Sequence, residues 1–171
     1  MYLHRRRLLK IGLGSAALLT IAGGGVALVR PGIDAGRLTT AAENIFRAIA
    51  AAVLDGSLAI APSARESQLR THLRHIEEAI AAFPAATQAE LSQLLALLAS
   101  APGRSFLARL HTPWDAATPQ ETQACLQSMR TSSIKLRQQA YHALRDLTNA
   151  AFYADPQAWP LMGYPGPVPV S

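Results

Sequence analysis

His72 and His75 stand three residues apart in a stretch of helical periodicity, with Glu78 three further on. One helix face could therefore bring two imidazoles and a carboxylate together, a set suited to a metal ion or to proton transfer. The order does not complete the helical zinc motif H-E-x-x-H, because Ile76 and Glu77 follow His75 and no histidine comes four residues later. Arg70, Arg74, Glu77 and Glu78 surround the pair, which reads instead as an exposed polar face. His111 falls in a loop and His142 beside Tyr141, both read as structural or surface residues. Cys125 is the only cysteine, so an intrachain disulfide, C-x-x-C-H haem attachment, an iron–sulfur cluster and a cysteine-based zinc site are excluded by count. It reads as a buried, inert thiol. No G-x-S-x-G elbow, P-loop or G-x-G-x-x-G after a strand is present, and no nucleophile, base and oxyanion donor assemble. Catalysis by this chain alone is not expected, nor is a metal or cofactor of its own.

Charge separates the chain into two parts. The formal charge of +5 and pI near 10.0 suggest a nucleic-acid binder at first sight. Position removes that reading. Five of the 16 basic residues (Arg5, Arg6, Arg7, Lys10 and Arg30) precede Ala35, with Asp34 the one acid among them. From Ala35 onward eleven basic residues face ten acidic ones, a net of +1, so no nucleic-acid partner is expected.

The basic leader has its own pattern. His4-Arg5-Arg6-Arg7-Leu8-Leu9-Lys10 resembles the twin-arginine export consensus: a polar residue, two arginines, any residue, two large apolar residues, then lysine. Arg5, Arg6, Leu8, Leu9 and Lys10 are the positions that carry it. Ile11 to Val29 has no charge and is rich in glycine and alanine, which makes it only mildly hydrophobic. A plain secretory signal or an N-terminal anchor is the competing reading, since this stretch is long enough to cross a bilayer. No A-x-A cleavage site stands out, with Ile33-Asp34-Ala35 and Val26-Ala27-Leu28 both poor candidates. The expected location is the periplasm, or the periplasmic face of the inner membrane if the leader stays attached. The resemblance implies a receptor-read route that carries folded proteins, often with a partner bound.

The body that follows reads as an all-α bundle. Thr39 or Thr40 can cap a helix, and Thr40 with Glu43 predicts a capping box, before the stripe Ile45, Phe46, Ile49 and Val53, which Gly56 stops. Ser63 with Glu66 predicts a second, ahead of Leu69, Leu73, Ile76 and Ile80, with Pro84 as the end. Thr87 with Glu90 predicts a third, ahead of Leu91, Leu94, Leu95 and Leu98. An apolar turn around Phe106, Leu107 and Leu110 comes before Pro113. Thr118-Pro119-Gln120-Glu121 combines a cap, proline at the first helical position and a capping glutamate, opening a helix through Ala124, Cys125, Leu126 and Met129. A last helix takes Ile134 to about Phe152, with Arg137, Tyr141, Leu144 and Leu147 on or beside one face. No hairpin signal and no internal repeat are visible. The division expected is signal and linker at 1–34 and a helical domain at 35–171.

Residues 153–171 form a tail of another kind. Pro156, Pro160, Pro165, Pro167 and Pro169 alternate with Gly163 and Gly166, which predicts a stiff, non-helical strap. Trp159 and Tyr164 give it large apolar side chains that a solvated tail seldom carries.

The run Ala151-Phe152-Tyr153-Ala154-Asp155-Pro156-Gln157-Ala158-Trp159-Pro160-Leu161-Met162-Gly163-Tyr164-Pro165-Gly166-Pro167 resembles the ending of the gluconate 2-dehydrogenase subunit 3 family. Members are small, cofactor-free subunits of exported flavin dehydrogenases of the glucose–methanol–choline type. The segment Phe46 to Leu58, the helix order through Tyr141 and the leader are compatible with it. The resemblance implies a large partner subunit that carries FAD and oxidises a sugar or alcohol. It also implies that this chain lends the partner its twin-arginine address, meets the translocation machinery, and can share a complex with a cytochrome c subunit. Tyr153, Trp159, Gly163, Tyr164, Pro165 and Gly166 are the residues it points to for partner contact. The strap could equally fold back on its own bundle. A membrane-tethered helical binding protein, anchored through Ile11 to Val29, is the alternative reading.

Overall fold

Alanine decides how closely the helices approach. In the computed structural model, which describes residues 30–166, the first long helix, α1 (Thr40–Val53), buries Ala42, Ala48, Ala50 and Ala52 beside Ile45, Phe46 and Ile49. Small side chains between large ones let α1 touch all four other long helices: α2 (Pro62–Ala81), α3 (Ala85–Ala99), α4 (Pro119–Arg130) and α5 (Lys135–Tyr153). Ile45, Phe46 and Ile49 are accordingly closed to solvent. The described residues are mostly helical, as the periodicity predicts. The export residues Arg5, Arg6, Leu8, Leu9 and Lys10 lie outside them, as do Pro167 and all that follows.

The chain enters through an element that the sequence reading missed. Ile33–Asp34 and Arg37–Leu38 pair as a two-stranded antiparallel hairpin, β1 and β2. Ala35 and Gly36 both take positive φ at its turn, 47° and 80°, which matches the right-handed twist of paired strands. The expected linker is thus docked, and the hairpin straddles the 34/35 boundary. Ser92 on α3 holds it, its hydroxyl accepting from Ile33 N at 3.0 Å and its carbonyl from Gly32 N at 3.2 Å. Gly32 is required there, since a Cβ would run into the Leu95 side chain and the Ser92 carbonyl. At the far side of the hairpin, Leu38 N donates to Glu77 of α2 at 2.9 Å.

Only one of the predicted capping boxes forms. Thr118 accepts from Glu121 N at 3.2 Å while Glu121 takes the Thr118 N–H at 2.8 Å. The Thr118 N–H and the hydroxyls of Thr112 and Thr118 hold the Glu121 carboxyl below the usual carboxylate range. The other three are corrected. Thr39 is the N-cap of α1, but its hydroxyl turns back to donate to Gly32 O at 3.1 Å. Helix α2 begins two residues early at Pro62 with Ala61 as cap, because proline needs no N–H partner at that position. Glu66 is then free to receive Arg47 of α1 in a two-pronged ion pair, at 2.9 and 3.2 Å. Helix α3 likewise begins at Ala85, directly after Pro84, ahead of Thr87.

Between α3 and α4 the chain makes a helical turn (Ala101–Gly103) and a π turn (Arg104–Ala108), ended by Arg109 in the left-handed region at φ 53°. Trp114 plugs the loop that follows, buried, with its indole N–H on Leu98 O at 2.8 Å. Cys125 is buried as expected, and burial pushes its thiol up to about 12. Among the described residues Arg137, expected on or beside the apolar face of its helix, is the largest side chain closed to solvent.

Candidate functional site

The strap grows directly out of α5. Asp155 follows the helix end and caps a 3-10 helix, Pro156–Met162, by accepting the Gln157 N–H at 2.9 Å. A helix here corrects the expectation of a wholly non-helical tail. Pro156 occupies the first position, where its missing N–H has no partner to lose, and Pro160 sits on the exposed side of a short 3-10 turn. Gly163 ends the turn at φ 69° and Gly166 takes φ 103°. Both glycines of the G-Y-P-G-P run are therefore needed for backbone conformation. Gly166 has a second reason, because a side chain there would press on the Trp159 ring.

The residues proposed from sequence are brought together. The Trp159 indole N–H reaches back to Tyr153 O at 3.0 Å, and Tyr164 N donates to Trp159 O at 3.1 Å. The Trp159 and Tyr164 rings meet edge to face, centroids 5.4 Å apart at 62°. Phe152 and Tyr153 form a similar pair at 5.3 Å. Pro156, Trp159, Pro160, Gly163, Tyr164 and Pro165 then line an open concavity of about 280 Å³. Tyr164 stays exposed in it, Tyr153 and Leu161 are exposed elsewhere on the segment, and Gly166 is buried behind the Trp159 ring. The underside behaves differently. Ala158 is buried among Leu58, Gln68 and His72, and Phe152 packs on the small cluster of Ala50, Leu54 and Leu58. The strap thus seats one face on its own bundle and leaves an aromatic face outside.

The histidine pair corrects the reading of an exposed polar face. His72 is buried at 4% exposure, turned under the strap, and neither ring nitrogen has a protein partner among the described residues. Burial, with His75 adding to it, pushes its imidazole down to about 4. His75 is half-buried and shares a hydrogen bond with Ala151 O at 3.2 Å. Helix periodicity could not reveal this, because the surface that covers His72 arrives from the opposite end of the chain. Glu78 is not drawn in and lies near Arg74 at 3.8 Å on the exposed face. Among the described residues no three of His, Cys, Asp and Glu come together to hold a metal ion. His111 is exposed, 3.4 Å from the Ser105 hydroxyl, and His142 is exposed against the Tyr141 ring.

The strap and the entering hairpin occupy different stretches of α2. Strap residues lie over Gln68 and His72, whereas Leu38 is tied to Glu77. At about 1.5 Å rise per residue the five positions from 72 to 77 separate these attachments by roughly 8 Å along the helix. No family model matches this chain, and comparison with curated proteins and with solved structures finds no match.

Proposed function

We propose that this chain is a non-catalytic, gamma-type small subunit that binds an FAD-dependent sugar or alcohol dehydrogenase, stabilises it and escorts it through twin-arginine export. The observation that carries the reading is the outward aromatic face of the strap. Trp159 and Tyr164 are locked in one geometry by their mutual contact and by two glycine turns. Preorganised aromatics lose little conformational freedom on binding and are favoured anchors at interfaces. The nearly neutral body agrees with a protein partner better than with nucleic acid. FAD belongs to the partner in this reading, and the twin arginines Arg5 and Arg6 supply the shared address.

Co-expression with an FAD-dependent dehydrogenase that lacks an export signal of its own tests it. The expected outcome is co-purification of the two chains and export of dehydrogenase activity that depends on Arg5 and Arg6. A dehydrogenase that reaches the periplasm and stays active without this chain would end the escort reading. Recovery of the chain from membranes with no oxidoreductase attached would favour the tethered binding protein instead.

A further inference from the structure

A small, partly open cleft of about 40 Å³ lies where the strap meets the bundle. Ser57 of the α1–α2 loop, Gln68, His72 and His75 of α2, and Asp155 and Ala158 of the strap line it. It is polar and large enough for a water molecule or two. The titratable groups facing His72 across it are His75, from the same helix, and Asp155, from the strap. Asp155 is already engaged as the cap on Gln157 N, and His75 on Ala151 O. The surfaces contributed by the α1–α2 loop and by α5 carry no charge into the space. A neutral imidazole fits this setting and an imidazolium does not, because neither ring nitrogen of His72 has a hydrogen-bond partner among the described residues, the Asp155 carboxylate included.

We propose that His72 is the pin of an acid-released latch: protonating its ring lifts the segment Pro156–Met162 away from α2 and the α1–α2 loop. Release gives the imidazolium water and uncovers Ala158, Leu58 and Phe152, turning a closed seam into apolar surface. The proton comes from solvent and stays on the ring, so no other reactant takes part. The docked ring titrates near 4, whereas a ring released to water returns to about 6.5. Between those values the released form takes up a proton that the docked form refuses. The ratio of released to docked strap therefore grows by up to about ten-fold per pH unit on acidification, and by about 300-fold in all from well above pH 6.5 to well below pH 4. This device is a property of the chain alone and does not depend on the escort reading.

The test uses the full chain labelled with 5-fluorotryptophan, in which Trp159 reports on the strap and buried Trp114 on the core. On lowering the pH from 7.5 to 4.5, the Trp159 resonance is expected to shift as its indole N–H leaves Tyr153 O at the end of α5, while Trp114 stays in place. His72→Gln is expected to abolish the movement and His75→Gln to preserve it. An unmoved Trp159, a movement that survives in H72Q, or Trp114 moving together with Trp159 would each overturn the latch. If H72Q does not fold, the ring titration of His72 in the unaltered chain decides. A value well below 6.5, tracking the Trp159 change, supports the latch, and an ordinary value near 6.5 overturns it.

Discussion

Arg137 of α5 donates its Nε–H to the carbonyl oxygen of Leu107 at 2.7 Å, joining the last helix to a π turn thirty residues earlier. The chain leaves the helical path at Arg109, so Leu107 O ends a turn that no longer continues. Arg137 supplies a donor to it and sends its remaining nitrogens to Ser128 at 2.7 Å and Ser132 at 3.2 Å on the α4 end. One side chain thus ties three segments. Its guanidinium is held below its ordinary range by burial and by the nearby charge of Arg109.

Replacing Arg137 with Ala leaves the Leu107 carbonyl and the Ser128 hydroxyl short of partners and opens a cavity. A loss of about 2–4 kcal/mol in urea unfolding is expected. Arg137→Lys should recover less than half of it, because a single ammonium cannot match the three-way fork. Full recovery by Lys would show that charge alone matters at this position.

Acid should destabilise the docked form of the fold, by no more than the docking of the strap contributes, through His72. Its folded pKa, about 4, is depressed below the unfolded value of 6.5. The contribution is therefore complete above about 6.5, declines as pH falls and is gone by about 4. Its ceiling is roughly 3 kcal/mol. Urea midpoints between pH 7.5 and 4.5 measure this slope, and His72→Gln should flatten that part of it.

The capping pattern gives a sharp contrast among three similar substitutions. Thr118→Ala should cost about 1 kcal/mol, because it removes a complete capping box. Ser63→Ala and Thr87→Ala should each change stability by less than about 0.5 kcal/mol, since neither residue caps its helix. Equal effects at all three sites would contradict the observed helix starts.

The outer face of the strap can be separated from its seat. Under the proposed escort function, Trp159→Ala or Tyr164→Ala should weaken capture of a dehydrogenase partner about ten-fold or more, as loss of a central aromatic anchor does. Bundle unfolding should change little, because both rings lie on the strap's open concavity. Ala158→Asp, which forces a charge into the seat, should loosen the strap as well. Pull-down titrations paired with thermal unfolding distinguish the two effects.

Much of this protein is local and therefore readable in the sequence. The stripe Ile45, Phe46 and Ile49 defines the buried face of α1, because apolar spacing alone orients a helix. Thr118-Pro119-Gln120-Glu121 opens α4 through contacts within one turn. The glycines at 163 and 166 announce positive φ, and both have it. What the sequence could not decide depends on distant chain segments. His72 looked solvated until the strap, more than eighty residues later, covered it. Arg137 stood on or beside the apolar face of its helix with no visible partner until the π turn offered it a carbonyl. Glu66 looked like a cap until Arg47 of another helix claimed it. In each case the side chain's fate was set by a partner brought close only by packing, and local periodicity carries no record of that partner.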